Sequence, residues 1–291
     1  MISIIITAFK EQKTIERAIS AIEEQEIGEH ETIVVAPDKE TLEAAEKIKK
    51  KYKNLVVLKD KGKGKSAALN FAVENGKGDI LILTDGDVYV SKNSINELLL
   101  KLKKHEIGAV TGKPVSMNPK SNKFGFWAYL LTKTADKRRR KALKEGKRFF
   151  CSGYLFAIKK KLFPKLPENL LSEDGFISHM VYEKGNKIEY ANKAEVYVKY
   201  PNNFEDWINQ KRRSAGGYNQ IRKMIGVNIR SFRKESSGAS DLLSEIKGIK
   251  EFFWLVELFI SRIYLWLLIY RDINLKAKSR EEIWLRVDST K

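Results

Sequence analysis

The strongest constraint on the fold is the rhythm of the N-terminal third, where short apolar runs alternate with charged segments of helical period. Ile2–Thr7 reads as a strand, and Gln12–Glu24 as a helix with Ile15, Ala18, Ile19 and Ile22 on one face. Thr32–Ala36 and Leu55–Leu58 read as further strands, separated by a helix over Lys39–Lys51 that turns Leu42, Ala45 and Ile48 inward. Ser66–Glu74 follows as a helix and Asp79–Thr84 as a fourth strand. Such alternation predicts βαβ units: an α/β domain whose mostly parallel central sheet is flanked by helices. The opening run has no basic leader or small-residue cleavage site, and it is too short to cross a bilayer.

Beyond Asp87 the pattern loosens. Helices are expected over Asn93–His105, Lys120–Lys147, Gly175–Lys184 and Phe204–Gly217, and strands over Ile107–Pro114, Phe149–Ile158 and Lys187–Tyr200. Ser231–Ser240 is rich in serine and reads as a linker. The resulting division is a main α/β domain over 1–225 (halves 1–115 and 116–225), a linker over 226–248 and an apolar, aromatic helix within 249–291.

The informative chemistry lies at Thr84-Asp85-Gly86-Asp87, where the fourth predicted strand ends. Open α/β sheets bind ligands beyond the carboxyl ends of their strands. Two aspartates separated by a small residue can serve two partners, a ribose and a hard cation such as Mg²⁺ or Mn²⁺. The competing reading is a solvated turn. Upstream, Gly62-Lys63-Gly64-Lys65-Ser66 opens a helix and suits phosphate, although its spacing is not that of a P-loop and a plain basic turn is the alternative. His30, His105 and His179 show no metal-ligand spacing. The single cysteine, Cys151, excludes an intramolecular disulfide and points to a reducing compartment.

Taken in order, Ser3–Glu11, Gly62–Asn70 and Gly78-Asp79 leading to Asp85-Gly86-Asp87 resemble the nucleotide-binding half of family 2 glycosyltransferases, enzymes of the GT-A fold. Cys151-Ser152-Gly153 resembles the acceptor-side segment of that family, and Leu171-Ser172-Glu173-Asp174 its Glu-Asp motif. Gln210-Lys211-Arg212-Arg213-Ser214 is similar to its Gln-x-x-Arg-Trp motif, with Ser214 in place of tryptophan, which argues against processive synthesis. The resemblance implies inverting transfer from a nucleotide-diphospho-sugar, with uridine donors favoured, to a hydroxyl or phosphate of the acceptor. Asp174 would be the base and Asp87 the metal carrier, with Asp85 on the ribose or sharing the metal. Thr7, Ala8, Phe9, Glu11, Asp38, Gly64, Lys65, Asp85 and Gly86 would contact the donor. Ser152, Gly153, Glu173, Gln210 and Arg213 would line the acceptor or diphosphate region. The family usually carries an Asp-Asp pair after its second strand; here the segment reads Val35-Ala36-Pro37-Asp38. Asp38 either recognises the base or caps the next helix. Asp174, without the family context, also reads as a helix N-cap.

Two segments point to a membrane. Phe252–Tyr270 approaches the about 20 residues needed to span a bilayer, but Glu257 and Arg262 interrupt it. An interfacial helix, a protein-facing spanning helix and a soluble packed helix compete, and the interfacial form is expected. The aromatic patch Phe124–Leu131 beside the basic run Lys137–Lys141 suits anionic lipid, with core packing and a solvated helix face as the alternatives. The expected location is the cytoplasmic face of the cell membrane, peripheral or C-terminally anchored. The expected partners are a nucleotide sugar, a glycan or lipid-linked acceptor and an anionic membrane surface.

With 55 lysines and arginines against 37 aspartates and glutamates, the formal net charge is +18. A nucleic-acid-binding protein is the rival this charge raises, set beside a generic ion-pair-rich surface. No zinc-ligand spacing, RNP-type signature or basic zipper supports it, and no nucleic acid is expected. A nucleotidyltransferase on a related fold could also use an aspartate pair and Mg²⁺, but leaves the Glu173-Asp174 and Gln210–Arg213 motifs unexplained.

Overall fold

Each N-terminal apolar run becomes a strand because it can be buried on both faces. In a computed structural model of the chain, which describes residues 1–226, 240–272 and 287–290, β1 (Ile2–Thr7) is flanked by β2 (His30–Ala36) and β4 (Ile80–Asp85), with β3 (Leu55–Lys59) outside β2. These four strands are parallel. Alternate residues feed opposite layers: Ile4 and Ile6 join one core, Ile5 the other, and all three are fully buried. The first layer is covered by α1 (Ile15–Glu23), α2 (Lys39–Lys49) and α4 (Ser94–Leu102); the second by α3 (Lys65–Asn75) and α6 (Glu173–Glu183).

The second half completes an eight-stranded sheet of order β3-β2-β1-β4-β7-β6-β8-β5. Here β5 is Val88–Val90, β6 Ile107–Ser116, β7 Leu155–Lys159 and β8 Lys187–Val198. β7 runs antiparallel to β4 and β6, and β5 runs antiparallel to β8. The sheet is therefore parallel in its N-terminal half and mixed in the other, a refinement of the mostly parallel sheet expected. The predicted strand over Phe149–Ile158 shortens to β7, leaving Phe149–Gly153 as an irregular segment at the sheet's end.

A third core cluster lies outside the sheet. It joins α5 (Lys123–Lys144), α7 (Phe204–Ile225), the short α8 (Ser240–Leu243) and α9 (Ile249–Tyr270). Phe126 and Trp127 of α5 are each only 1% exposed, and Trp127 Nε1 donates to the Trp254 carbonyl at 2.7 Å. The aromatic patch of α5 is thus core, which removes it from the lipid-facing surface. Glu257 pairs with Lys123 of α5 at 2.7 Å, so one of the two charges that interrupt α9 is answered by protein. Of the linker expected over 226–248, residues 227–239 lie outside the described residues, Gly226 closes α7, and α8 falls within the remainder.

Candidate active site

Register places the site. Thr7 and Asp85 are paired at the carboxyl ends of β1 and β4, and Thr7 Oγ1 donates to Asp85 Oδ1 at 3.1 Å. The chain then turns through Gly86, whose N–H donates to the Thr7 carbonyl at 3.0 Å. A Cβ at Gly86 would lie 2.3 Å from Glu11 Oε2 and 2.9 Å from Ala8 Cβ. Only glycine lets the Asp-Gly-Asp turn pack against the β1–α1 loop, as close backbone approach requires. This seats Thr7, Ala8, Glu11, Asp85 and Asp87 around one cavity of about 1120 Å³.

Lys65, the first residue of α3, forms an ion pair with Asp85 Oδ1 across that cavity. Burial alone would lower its pKa; the carboxylates of Asp85, Glu173 and Asp174 outweigh that and raise it. The lysine therefore stands between the two acidic motifs that the sequence holds nearly ninety residues apart. Glu173 accepts from Ser66 Oγ at 3.5 Å, and burial pushes its carboxyl above the usual range against the pull of Lys65.

Asp174 sits in the first turn of α6, with Ser172 at the N-cap position, so its predicted alternative as the cap residue does not hold. Its Oδ1 accepts from Ser172 Oγ at 2.6 Å and from the Gly175 N–H at 2.8 Å, and its Oδ2 from the Gly153 N–H at 3.1 Å. A carboxylate has about four lone-pair sites, so these contacts orient it and leave capacity for a substrate proton. The preceding loop is pinned by α7: Leu171 N–H donates to Gln220 Oε1 at 3.0 Å, and a Cβ at Gly217 would come within 2.6 Å of Ser172 Cβ. Gly217 thus permits the helix to press on the loop that aims Asp174.

α7 also delivers Gln210 and Arg213 to the cavity wall, whereas neighbouring Arg212 turns away to pair with Asp272, which is 2% exposed. Ser152 and Gly153 line the wall beside Tyr154. Burial, then the carboxylates of Asp87 and Asp85, push the Tyr154 phenol well up, with Arg213 opposing. Cys151 is buried and its thiol pushed up to about 12 by that burial, which makes it an inert wall residue.

Of the donor-side expectations, Phe9, Gly64 and Lys65 lie on the wall, whereas Gly86 and Asp38 do not. Asp38 caps α2, accepting from Thr41 N–H at 3.1 Å and Thr41 Oγ1 at 2.6 Å; its other oxygen accepts from the Lys10 N–H at 2.8 Å. These bonds hold its carboxyl below the usual range, although burial works the other way. The capping alternative is the one the geometry displays, and Asp60 at the end of β3 occupies the wall instead. The sequence reading also missed Tyr154, Arg138, Arg139 and Arg148 as wall residues. Adjacency to Gly153 was the available signal for Tyr154.

Asp85 and Asp87 form a donor set of two hard carboxylates opening into a wide cavity. Among the described residues no three histidine, cysteine or acidic side chains form a closed metal cage. That combination fits Mg²⁺ or Mn²⁺, which take one or two carboxylates and complete their shell with phosphate oxygens and water.

The parallel nucleotide-binding half, the antiparallel β7 and the acidic turn after β4 define a GT-A glycosyltransferase fold, and solved structures agree. PcManGT, a mannosyltransferase of Pyrobaculum calidifontis solved with GDP-Man and Mn²⁺, superposes with a TM-score of 0.63 at 16% identity, covering 96% of this chain and 88% of that one. S. aureus TarS 1-349 with UDP-GlcNAc gives 0.51 at 19% identity, covering 72% of this chain and 64% of that one. At such identities the likeness is one of fold.

Residues 1–217 match the family described as "Glycosyltransferase like family 2", and the chain belongs to that family. It is also 29% identical over 164 residues to the probable glycosyltransferase YdaM of Bacillus subtilis, a match spanning 54% of this chain and 38% of that protein. That family membership is what the Asp-Gly-Asp, Glu-Asp and Gln-x-x-Arg motifs implied.

Proposed function

We propose that the protein transfers a sugar, with inversion, from a nucleotide-diphospho-sugar to a hydroxyl of a lipid-linked or glycan acceptor. Uridine donors remain favoured from the sequence. The observation that carries the reading is the convergence of Asp85, Lys65, Glu173 and Asp174 on one cavity. In the reaction, Asp174 takes the proton of the acceptor hydroxyl while that oxygen bonds to the anomeric carbon. The bond from that carbon to the diphosphate breaks, and its electron pair leaves with the diphosphate. Asp87, with Asp85, would hold Mg²⁺ or Mn²⁺, which when bound neutralises charge on the departing diphosphate. Lys65 and Arg213 offer further cationic donors to phosphate oxygens.

The catalytic unit on this reading is 1–225, with α9 serving as a membrane contact. One side of α9 packs on α5 and α7, and the opposite side exposes Phe253, Val256, Ile260, Ile263 and Leu267. The apolar stripe is capped by exposed Lys247 and Lys250 at one end and Arg271 at the other. Apolar length with basic ends is complementary to an anionic lipid surface, on which α9 would lie at the cytoplasmic face rather than span it. The helix is long and apolar enough to cross a membrane by composition, yet its other face is committed to protein.

The test is slow hydrolysis of a panel of UDP- and GDP-sugars with Mn²⁺, with the released sugar read by proton NMR. The reading expects one donor to be cleaved with inversion at the anomeric carbon. Retention would remove the single-displacement mechanism, and cleavage of none would remove the transferase reading.

A further inference from the structure

Helix α7 meets the site along one stripe. Gln210, Arg213, Gly217, Gln220 and Ile221 each lie three or four residues from one a turn earlier, which puts them on a single face of the helix. The first two stand on the cavity wall. The last three press instead on the loop before α6 and on its first turn. A Cβ at Gly217 would lie 2.6 Å from Ser172 Cβ and 3.0 Å from the Leu171 carbonyl carbon and the Ser172 nitrogen, two backbone atoms that cannot turn aside. One turn on, Ile221 is fully buried, and its Cδ1 would stand 2.8 Å from a Cβ at Gly175, the residue after Asp174.

Gln220 makes a contact of a different kind. Its Oε1 accepts from the Leu171 N–H at 3.0 Å, and its Nε2 donates to the Asn169 carbonyl at 2.8 Å. A carbonyl and an N–H two residues apart are the pair that an extended segment offers along one edge. A primary amide answers both at once, whereas a carboxylate can only accept and an ammonium can only donate. Between the two clamped groups Leu170 is fully buried in the second core, so the loop is held from both sides. It then enters α6 through Ser172, which is 6% exposed and donates to Asp174 Oδ1 at 2.6 Å.

The same stripe carries Arg213, seven residues before Gln220 and about 10 Å from it along the axis. One helix thus presents a cation to the side where the diphosphate would leave and, a little further on, grips the loop that carries the carboxylate of the accepting side.

We infer that Gln220 is a positioning residue for the transfer reaction: its amide clamp on the backbone of 169–171 aims Asp174 at the reacting oxygen, at the separation from Arg213 that α7 sets. This rests on the transferase reading with Asp174 as base, and adds to it a residue that lies off the cavity wall and touches no substrate.

The test is a double-mutant cycle of Gln220→Ala and Asp174→Asn, read by Mn²⁺-dependent hydrolysis of the nucleotide sugar that the wild type cleaves, with water in place of the acceptor hydroxyl. Gln220→Ala alone should lower kcat by about tenfold to a hundredfold, the scale on which a reacting group displaced by about 1 Å loses rate. KM for the donor and the melting temperature should stay near those of the wild type. In the Asp174→Asn background the same substitution should cost no more than about twofold, because it acts through a group already removed. Gly217→Ala, which drives the same loop from the adjacent turn, should repeat the pattern. An equal loss in both backgrounds, or a loss confined to KM, would overturn the assignment and leave Gln220 a structural contact of α7. Full kcat in Gln220→Ala would overturn it alone. Full kcat in Asp174→Asn would remove the base reading and this inference with it, and a wild type that cleaves no nucleotide sugar would remove the transferase reading beneath both.

Discussion

Gly153 donates its backbone N–H to Asp174 Oδ2 at 3.1 Å, so the carboxylate on α6 is aimed by the segment that leads into β7. That segment is in turn fixed by Thr111 Oγ1, which accepts from the Ser152 N–H at 2.9 Å, and by Ser178 Oγ, which accepts from the Cys151 N–H at 2.9 Å. The proposed base is thus held by backbone on two sides and by Ser172 on a third.

Asp174→Asn should therefore change chemistry without moving the site. Turnover is expected to fall by about 10²–10⁴, the usual contribution of a general base, while nucleotide-sugar affinity stays within about twofold. Steady-state kinetics paired with calorimetry would check this, and a parallel loss of affinity would mean that Asp174 serves donor binding.

Lys65→Met removes the only positive partner placed between Asp85 and the Glu173-Asp174 pair by the contacts described above. Donor affinity should drop by about tenfold or more, the scale of one charge-assisted hydrogen bond. Lys65→Arg should recover part of it. Unchanged affinity in Lys65→Met would assign the lysine a purely structural role.

Glu245 tests how the C-terminal helices are attached. A hydrogen bond from Lys133, more than any other cause, lowers its pKa from 4.5 to about 2. A depressed carboxylate contributes stability that is present above its unfolded pKa and is lost as pH falls through the folded one. Stability should decline between about pH 4.5 and pH 2 in the wild type, and Glu245→Gln should flatten that decline. These ion pairs are partly exposed, so the effect is at most about 1 kcal/mol. Acid denaturation followed by circular dichroism measures it.

The exposed face of α9 can be altered without touching its buried one. Ile260→Asp with Leu267→Asp, both more than 60% exposed in the native chain, should leave the melting temperature within a few degrees and abolish binding to phosphatidylserine-containing vesicles. Deleting the helix is the poorer test, since it would uncover Phe126, Trp127 and Trp207 of the third cluster. Undiminished vesicle binding in the double variant would move the membrane contact elsewhere.

Much of the architecture was legible because burial on both faces of a parallel strand leaves near-continuous apolar runs. β1 matches its predicted bounds, and the apolar, aromatic helix expected within 249–291 appears as α9. β5 was missed: three residues beside the Asp-Gly-Asp turn carry too little pattern to register. The end of α7 was placed too early because Gly216-Gly217 reads as a stop, whereas Gly217 is there for its contact with Ser172. The acidic motifs could be found in sequence, since each is local. What joins them could not: Lys65 reaching Asp85, or Arg138 and Arg139 turning inward while Lys137 and Arg140 do not, depends on how α5 and α3 are rotated against the sheet.

The most direct test of the central claim is a calorimetric titration of the preferred nucleotide sugar into wild type and Asp87→Ala, with Mn²⁺ and with EDTA. The account predicts binding to the wild type that needs Mn²⁺ and disappears in Asp87→Ala. Equal binding by both proteins, indifferent to chelation, would contradict the assignment of the Asp-Gly-Asp turn as the metal-carrying donor site.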